Sequence, residues 1–314
     1  MANLTLMFAT YNGAATLPRL LESLARQEPP TGGWKIVAVD NGGPAAGAPI
    51  LREWSARLPL TIVTETRRGK NTALNTGLRE VEGDLVVLTD DDVVAPANWL
   101  VSLQALAEAQ PDYDIFGGAI EPIWPFDPPE WVLRCAPTNS FAWTQFDEGP
   151  VSPSLVWGPN MAVRRKVLEG RRFREDLGPD GTENCALGDE TEFFMRAVEA
   201  GHRCWHAPDI VVGHIVEPHQ LTEKWLLQRA YNHARGVRRI MRSRRNAAWR
   251  AAGLSRALGS YGLAQMTSLT ARLFGGFEAR FKAALALSRI EGDLEERMSP
   301  MRRDTELRRE GPLG

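Results

Sequence analysis

Three consecutive carboxylates, Asp90, Asp91 and Asp92, follow the apolar run Leu85-Val86-Val87-Leu88-Thr89. Such a run reads as a buried strand of a parallel sheet, and acids at its C-terminal end stand where open α/β sheets bind ligands. Adjacent carboxylates repel unless a cation neutralises them, and all-oxygen ligands suit a hard ion such as Mg²⁺ or Mn²⁺. A divalent ion in such a cleft ordinarily serves a phosphate; a solvated acidic turn is the plainer alternative. A second acid cluster, Asp189, Glu190 and Glu192, opens a segment in which Phe193, Phe194, Ala197 and Val198 have helical spacing between Gly188 and Gly201. The helix dipole favours acids there, so capping accounts for them as well as catalysis does. His214 ends the apolar run Ile210-Val211-Val212-Gly213, a place where a histidine is either structural or a metal ligand.

The elements that must position these groups alternate in kind. Strand-like stretches at 4–10, 35–40, 60–65, 84–89 and 115–120 alternate with helix-like stretches at 15–26, 49–58, 71–80 and 98–109. That alternation predicts an α/β fold built of βαβ units, with a mainly parallel, Rossmann-like sheet flanked by helices. The turn after the first strand, Thr10-Tyr11-Asn12-Gly13, carries neither a G-x-G-x-x-G nor a G-x-x-x-x-G-K-[ST] pattern, which argues against a dinucleotide dehydrogenase or a P-loop enzyme. Residues 121–157 interleave Pro122, Pro125, Pro128, Pro129 and Pro137 with Trp124, Trp131, Trp143 and Trp157. They predict a long surface loop with no regular helix or central strand, its tryptophans stacking on a sugar or lipid tail or pinning the loop to the core. After Leu221 the chain reads helical to about residue 297, with a frayed end.

At 314 residues and 43% hydrophobic, the chain suffices for one large α/β domain and an extension, and is not a disordered protein. Cys135, Cys185 and Cys204 are an odd, scattered set without metal-ligand spacing, so reduced thiols in a cytoplasmic protein are expected. No run of about eighteen apolar residues occurs, and no spanning segment is expected. The charge is uneven: residues 1–219 hold 18 Lys and Arg against 30 Asp and Glu, whereas 220–314 hold 19 against 9. Arg235, Arg238, Arg239, Arg242, Arg244 and Arg245 crowd one stretch of this tail. Two readings stand: the tail meets an anionic surface, such as the inner face of a membrane, or its arginines are solvated or pack on the acidic half. No aromatic or recognition-helix pattern accompanies them, so nucleic acid is not expected.

Taken in order, these pieces resemble family 2 glycosyltransferases, the inverting GT-A-fold enzymes that use nucleotide sugars. The resemblance covers about residues 3–235. Thr10-Tyr11-Asn12 is similar to the family's first nucleotide-contacting turn, and Val39-Asp40-Asn41 to its second, where Asp40 accepts from the base. The segment Gly69-Lys70-Asn71-Thr72-Ala73-Leu74-Asn75-Thr76-Gly77 resembles the stretch that contacts the nucleotide, with Lys70 and Asn75 as candidates. Asp90-Asp91-Asp92 resembles the D-x-D motif, which implies that Asp90 faces the ribose and Asp92 the metal. Gly158-Pro159-Asn160-Met161-Ala162-Val163-Arg164 resembles the acceptor-side strand, with Asn160 toward the nucleotide sugar. His214 stands where many members complete the metal site. The family writes its base motif as Glu-Asp, whereas this chain has Asp189-Glu190, so the base falls by alignment on Glu190, with Asp189 as the alternative.

The resemblance implies a catalytic domain over 1–220, with a nucleotide-sugar half to about 120 and an acceptor half beyond it, followed by a basic helical extension over 221–314. It implies metal-dependent, inverting transfer of a sugar, with UDP as the first nucleotide to consider, to a carbohydrate or lipid-linked acceptor in polysaccharide or glycolipid assembly. A D-x-D phosphatase and a non-catalytic nucleotide-binding peripheral membrane protein are the competing readings. The phosphatase class places its motif after its first strand, whereas about three βα units precede Asp90 here.

Overall fold

The computed structural model describes residues 3–43, 47–244 and 247–299. Its strands are β1 (Leu4–Thr10), β2 (Trp34–Asp40), β3 (Leu60–Thr64), β4 (Leu85–Leu88), β5 (Val93–Val94), β6 (Ile115–Ile123), β7 (Gly149–Pro150), β8 (Met161–Arg164) and β9 (Cys204–Ile215). Its helices are α1 (Leu17–Leu24), α2 (Ala48–Trp54), α3 (Lys70–Gly77), α4 (Trp99–Ala109), α5 (Glu130–Cys135), α6 (Arg165–Leu168), α7 (Asp189–Glu199), α8 (Glu223–Arg244), α9 (Ala247–Phe274) and α10 (Phe277–Met298). The strands lie in the order β3-β2-β1-β4-β8-β6-β9-β5, with β7 beside β9.

The first four strands are parallel, as the βαβ pattern requires. Beyond β4 the sheet is mixed: β8 runs antiparallel to both β4 and β6, while β6 and β9 are parallel. Period-2 alternation sends successive side chains to opposite faces. Leu4, Leu6 and Phe8 of β1 join Ile36 of β2 under α1, α2 and α4, whereas Met7, Val37 and Val39 meet Leu74 of α3 and Phe193 of α7 on the other face. Strands covered on both sides bury almost every residue, which is why β1, β2 and β4 read as continuous apolar runs.

One expectation needs correction. Residues 121–157 are not one irregular loop: β6 continues to Ile123, α5 follows Pro129, and β7 adds a short strand. Pro129 stands immediately before α5, where a missing N–H costs nothing, and Pro122 lies past Gly117, the last β6 residue paired with β8. Trp131 packs edge-on against Phe277 and Phe281 of α10, and Trp124 against Phe141, so these rings pin the segment to the helical extension.

Of the two readings of the basic tail, packing describes the arginines of α8, which are largely engaged within the chain. Arg238 pairs with Asp293 at 2.5 Å and Arg239 with Glu296 at 2.8 Å, both on α10. Arg235 also reaches Glu296, Arg242 donates to the Glu296 carbonyl, and Arg244 pairs with Glu199 of α7. These contacts favour packing over an anionic partner for that stretch. Arg245 and the frayed end expected beyond Ser299 lie outside the described residues.

Candidate active site

The C-terminal ends of β1, β2 and β4 lie side by side, because Thr10 is in register with Asp40 and Met7 with Leu88. Asp90, Asp91 and Asp92 therefore emerge between the 10–13 turn and β8. A methyl group placed on Gly13 would lie 2.4 Å from both Asp91 Oδ2 and Thr10 Oγ1, which locates that turn against the acids. Tyr11 accepts a hydrogen bond from Arg68 at 2.6 Å, and Asn12 is exposed beside it.

Lys70, the first residue of α3, joins the two acid clusters that the sequence keeps about 100 residues apart. Its Nζ lies 2.6 Å from Asp90 Oδ1 and 3.1 Å from Glu190 Oε1. Glu190 reaches this point because α7 begins at Asp189 and Gly158 leaves room: a Cβ there would stand 2.6 Å from Glu190 Oε1 and 3.2 Å from Asp90 Oδ2. Any side chain at 158 would drive these groups apart.

The two acids of α7 differ in protonation. Burial disfavours the charge of Glu190, but the Lys70 ammonium, together with hydrogen bonds from the backbone and from Asp189, holds the carboxyl below its ordinary range. Burial and the charge of Glu190 push Asp189 well above its ordinary range. Of this pair, Asp189, only 3% exposed, therefore holds a proton more firmly, and Glu190 carries the negative charge in preference to it. Burial and the neighbouring Asp92 raise the Asp91 carboxyl to about 7, and burial also raises Asp90 against the pull of Lys70.

Asp92 and His214 form the other half of the cluster. β5 pairs with β9 so that Val93 faces His214, which brings His214 Nε2 to 3.2 Å from Asp92 Oδ2. His214 Nδ1 donates to the Phe141 carbonyl at 3.1 Å, which orients the ring with Nε2 toward Asp92. Burial disfavours the charge on Asp92, yet the histidine beside it holds this carboxyl low. Asp92 Oδ1 is buried with no hydrogen-bond partner among the described residues.

The pair fits a divalent ion. Cis ligands of an octahedral ion at about 2.1 Å stand about 3.0 Å apart, close to the Asp92–His214 separation. Among the described residues no three His, Cys, Asp or Glu side chains converge as a metal cage, so the remaining ligands would come from substrate oxygens and water.

Two of the candidates turn their side chains to protein partners. Asn160 is fully buried and spends its side chain on the sheet: Oδ1 accepts from Trp99 Nε1 at 2.9 Å, and Nδ2 donates to the carbonyls of Ala119 and Ile210, each at 2.8 Å. Asn75 closes a pair of hydrogen bonds with the Phe173 backbone, at 2.9 and 2.8 Å, and ties α3 to the 173–177 loop. In these bonds both side chains brace the backbone around the site.

Sequence reasoning passed over Arg229. Its guanidinium lies over Trp225 at 5.3 Å, Trp225 stacks on Phe141, and Phe141 holds His214. It makes no ion pair among the described residues, unlike its neighbours on α8. Burial pulls it below its ordinary value, opposed by Cys185, Glu190, Asp90 and Asp92. Gln228 and Asn232 donate to the Glu183 carbonyl at 3.0 and 2.8 Å, so α8 holds the loop leading into Asp189. The available signal was the i, i+4 pair of Trp225 and Arg229 at the start of the acid-free stretch.

The sequence model of Glycosyl transferase family 2 matches residues 5–171. Glycosyltransferase AglE of Haloferax volcanii is 24% identical over 216 residues, which are 68% of this chain and 67% of that protein. Glucosyl-dolichyl phosphate glucuronosyltransferase of the same organism is 23% identical over 53% of this chain and 54% of its own length. Among solved structures, the mannosyltransferase PcManGT from Pyrobaculum calidifontis, in complex with GDP-Man and Mn²⁺, superposes with a TM-score of 0.63 at 23% identity, covering 94% of this chain and 86% of that one. TarS 1–349 of S. aureus in complex with UDP-GlcNAc gives 0.55 at 17% identity, covering 93% and 90%. At these identities the superpositions establish a shared fold.

Proposed function

The chain belongs to glycosyl transferase family 2, and from that premise we propose that it moves a sugar from a nucleoside diphosphate sugar to a hydroxyl acceptor in a single inverting displacement. The observation that supports this reading is the bridge of Lys70 between Asp90 and Glu190, which joins the acid triplet to the acids of α7 and favours the charged form of Glu190. Glu190 takes the proton of the acceptor hydroxyl as it attacks, and Asp189, kept neutral, leaves that negative charge concentrated on its neighbour. Phosphate from the donor competes with the two carboxylates for Lys70, and Arg229 is a second cation facing the same acids. Thr10, Tyr11, Asn12 and Asp40 line the sheet edge where the nucleotide would lie. Asp92 and His214 would hold Mn²⁺ or Mg²⁺, which when bound supplies Lewis-acid stabilisation of the leaving diphosphate. The named activity of the dolichyl-phosphate relative supports a lipid-linked acceptor as the first to try, with carbohydrate hydroxyls second.

The test is release of nucleoside diphosphate from UDP-, GDP- and dTDP-sugars with Mn²⁺, Mg²⁺ or EDTA, for wild type and Asp92→Asn, with and without lipid-phosphate and sugar acceptors. Metal-dependent release from one donor, weakened in the variant, is expected. Release that ignores both EDTA and the substitution would overturn the metal assignment, and no release under any pairing, with nucleotide still bound, would favour the non-catalytic reading.

A further inference from the structure

One face of α9 rests on α10 through the small buried residues Ala257, Ala264 and Ser268. The rest of the helix presents Leu258, Leu263, Met266, Leu269, Leu273 and Phe274 to solvent, between 52% and 85% exposed. The helix ends at the turn Phe274-Gly275-Gly276-Phe277, where Phe277 is exposed as well. A contiguous apolar face of this size marks an interaction surface. No helix among the described residues is long and apolar enough to cross a membrane, so such a face would lie along a bilayer and not through it.

The charge around this face is one-sided. Residues 247–277 contain no acid, and Arg256 and Arg272 are exposed on α9. Beside Arg256, between α8, α9 and α10, lies a cavity of about 630 Å³. Among the described residues four arginines line it, Arg238, Arg256, Arg289 and Arg297, against the single acid Asp293. Arg238 and Arg297 both engage Asp293, at 2.5 Å, whereas Arg256 and Arg289 make no ion pair among the described residues. A second copy of the chain is a poor occupant, since two such faces meeting across a two-fold axis would oppose arginines with no acid to answer them. A phosphate-bearing apolar surface answers both features at once.

We propose that the apolar face of α9 seats the protein on a lipid bilayer and that the adjoining arginine cavity takes the phosphate of an anionic phospholipid headgroup. The apolar side chains supply the partitioning and Arg256 and Arg289 the preference for anionic lipid. This deepens the lipid-linked acceptor reading above, and its test reads partitioning instead of turnover, so the two fail separately.

The experiment is co-sedimentation of the full chain with sucrose-loaded vesicles of phosphatidylcholine alone or with about 30% phosphatidylglycerol at about 0.1 M salt. Wild type is expected to partition about tenfold more onto the anionic vesicles. Met266→Glu with Leu269→Glu should lower binding to both vesicle types by about tenfold or more, while Arg256→Gln with Arg289→Gln should remove only the anionic preference. Inorganic phosphate at millimolar concentration should leave vesicle binding of wild type in place; release by it, with the Met266/Leu269 variant binding normally, would make the cavity a free-phosphate site and overturn the lipid assignment. Wild type that stays in solution with both vesicles overturns the proposal outright. Light scattering that shows a wild-type dimer made monomeric by the Met266/Leu269 change would then assign the face to a second copy.

Discussion

Replacing Asn160 separates the two roles open to it, a ligand contact or a girder. The β6–β9 ladder is in register from Ile115↔Cys204 to Gly118↔Ala207 and resumes at Ala119↔Val211, so Pro208, Asp209 and Ile210 bulge out of β9. The side-chain amide of Asn160 fills the break, bridging the carbonyls of Ala119 and Ile210 while accepting from the Trp99 indole. Only glycine at 118 admits it, since a Cβ there would lie 2.2 Å from Asn160 Nδ2. Asn160→Ala leaves three buried polar groups unpaired at about 1–3 kcal/mol each, hence about 3–9 kcal/mol, with the lower end reached if water enters the space. Urea unfolding of Asn160→Ala should show that loss, and Gly118→Ala, which evicts the same amide without touching residue 160, should show a loss of the same order. Asn160→Ala within about 1 kcal/mol of wild type, combined with about tenfold weaker nucleotide binding, would refute the girder role and restore the ligand role.

Glu190→Gln should lower turnover by about 10²- to 10⁴-fold with nucleotide binding retained, whereas Asp189→Asn, which replaces a neutral acid by a neutral amide, should lose far less; equal losses in single-turnover rates would remove the distinction between them. The part of the pH profile that Glu190 itself sets should fall on the acid side, at a pH below the ordinary carboxylate range, because Lys70 favours its charged form. Hydrogen bonds from Arg67 and Thr76 lower the Glu65 carboxyl from 4.5 to about 2, so its contribution to stability is complete above pH 4.5 and is lost as pH falls through about 2. Arg67 is 61% exposed, which discounts the full shift to about 1–2 kcal/mol. The difference in unfolding free energy between wild type and Glu65→Gln should therefore shrink between pH 7 and pH 3, and an unchanged difference would contradict the assignment.

Local pattern was enough for the parts of this protein that local physics decides. The apolar run before Asp90 had to be a strand covered on both faces, and the helical spacing after Gly188 had to place Asp189 and Glu190 at an N-terminus; Lys70 joins the two clusters where the ends of β4, α3 and α7 converge. The partners of the asparagines were not legible, for a physical reason. Whether Asn75 and Asn160 face a ligand or a carbonyl depends on a strand bulge and on a loop about 98 residues away, and neither leaves a trace in the flanking sequence. The prolines of 121–157 misled in the opposite direction, since two of them occupy boundaries where a missing N–H is harmless. Charge was the least legible quantity of all. A count of arginines after residue 224 cannot say which are already answered, and the answer lies 57 residues downstream, where Glu296 meets Arg239. Once the acids of α10 and α7 have taken Arg235, Arg238, Arg239 and Arg244, the cations still open among the described residues include Arg229, near Glu190, Asp90 and Asp92, and Arg256 and Arg289, in the cavity beside the apolar face of α9. The excess of positive charge thus resolves into two places that could receive an anion, one beside the acids of the β4 end and α7 and one beside the apolar face of α9.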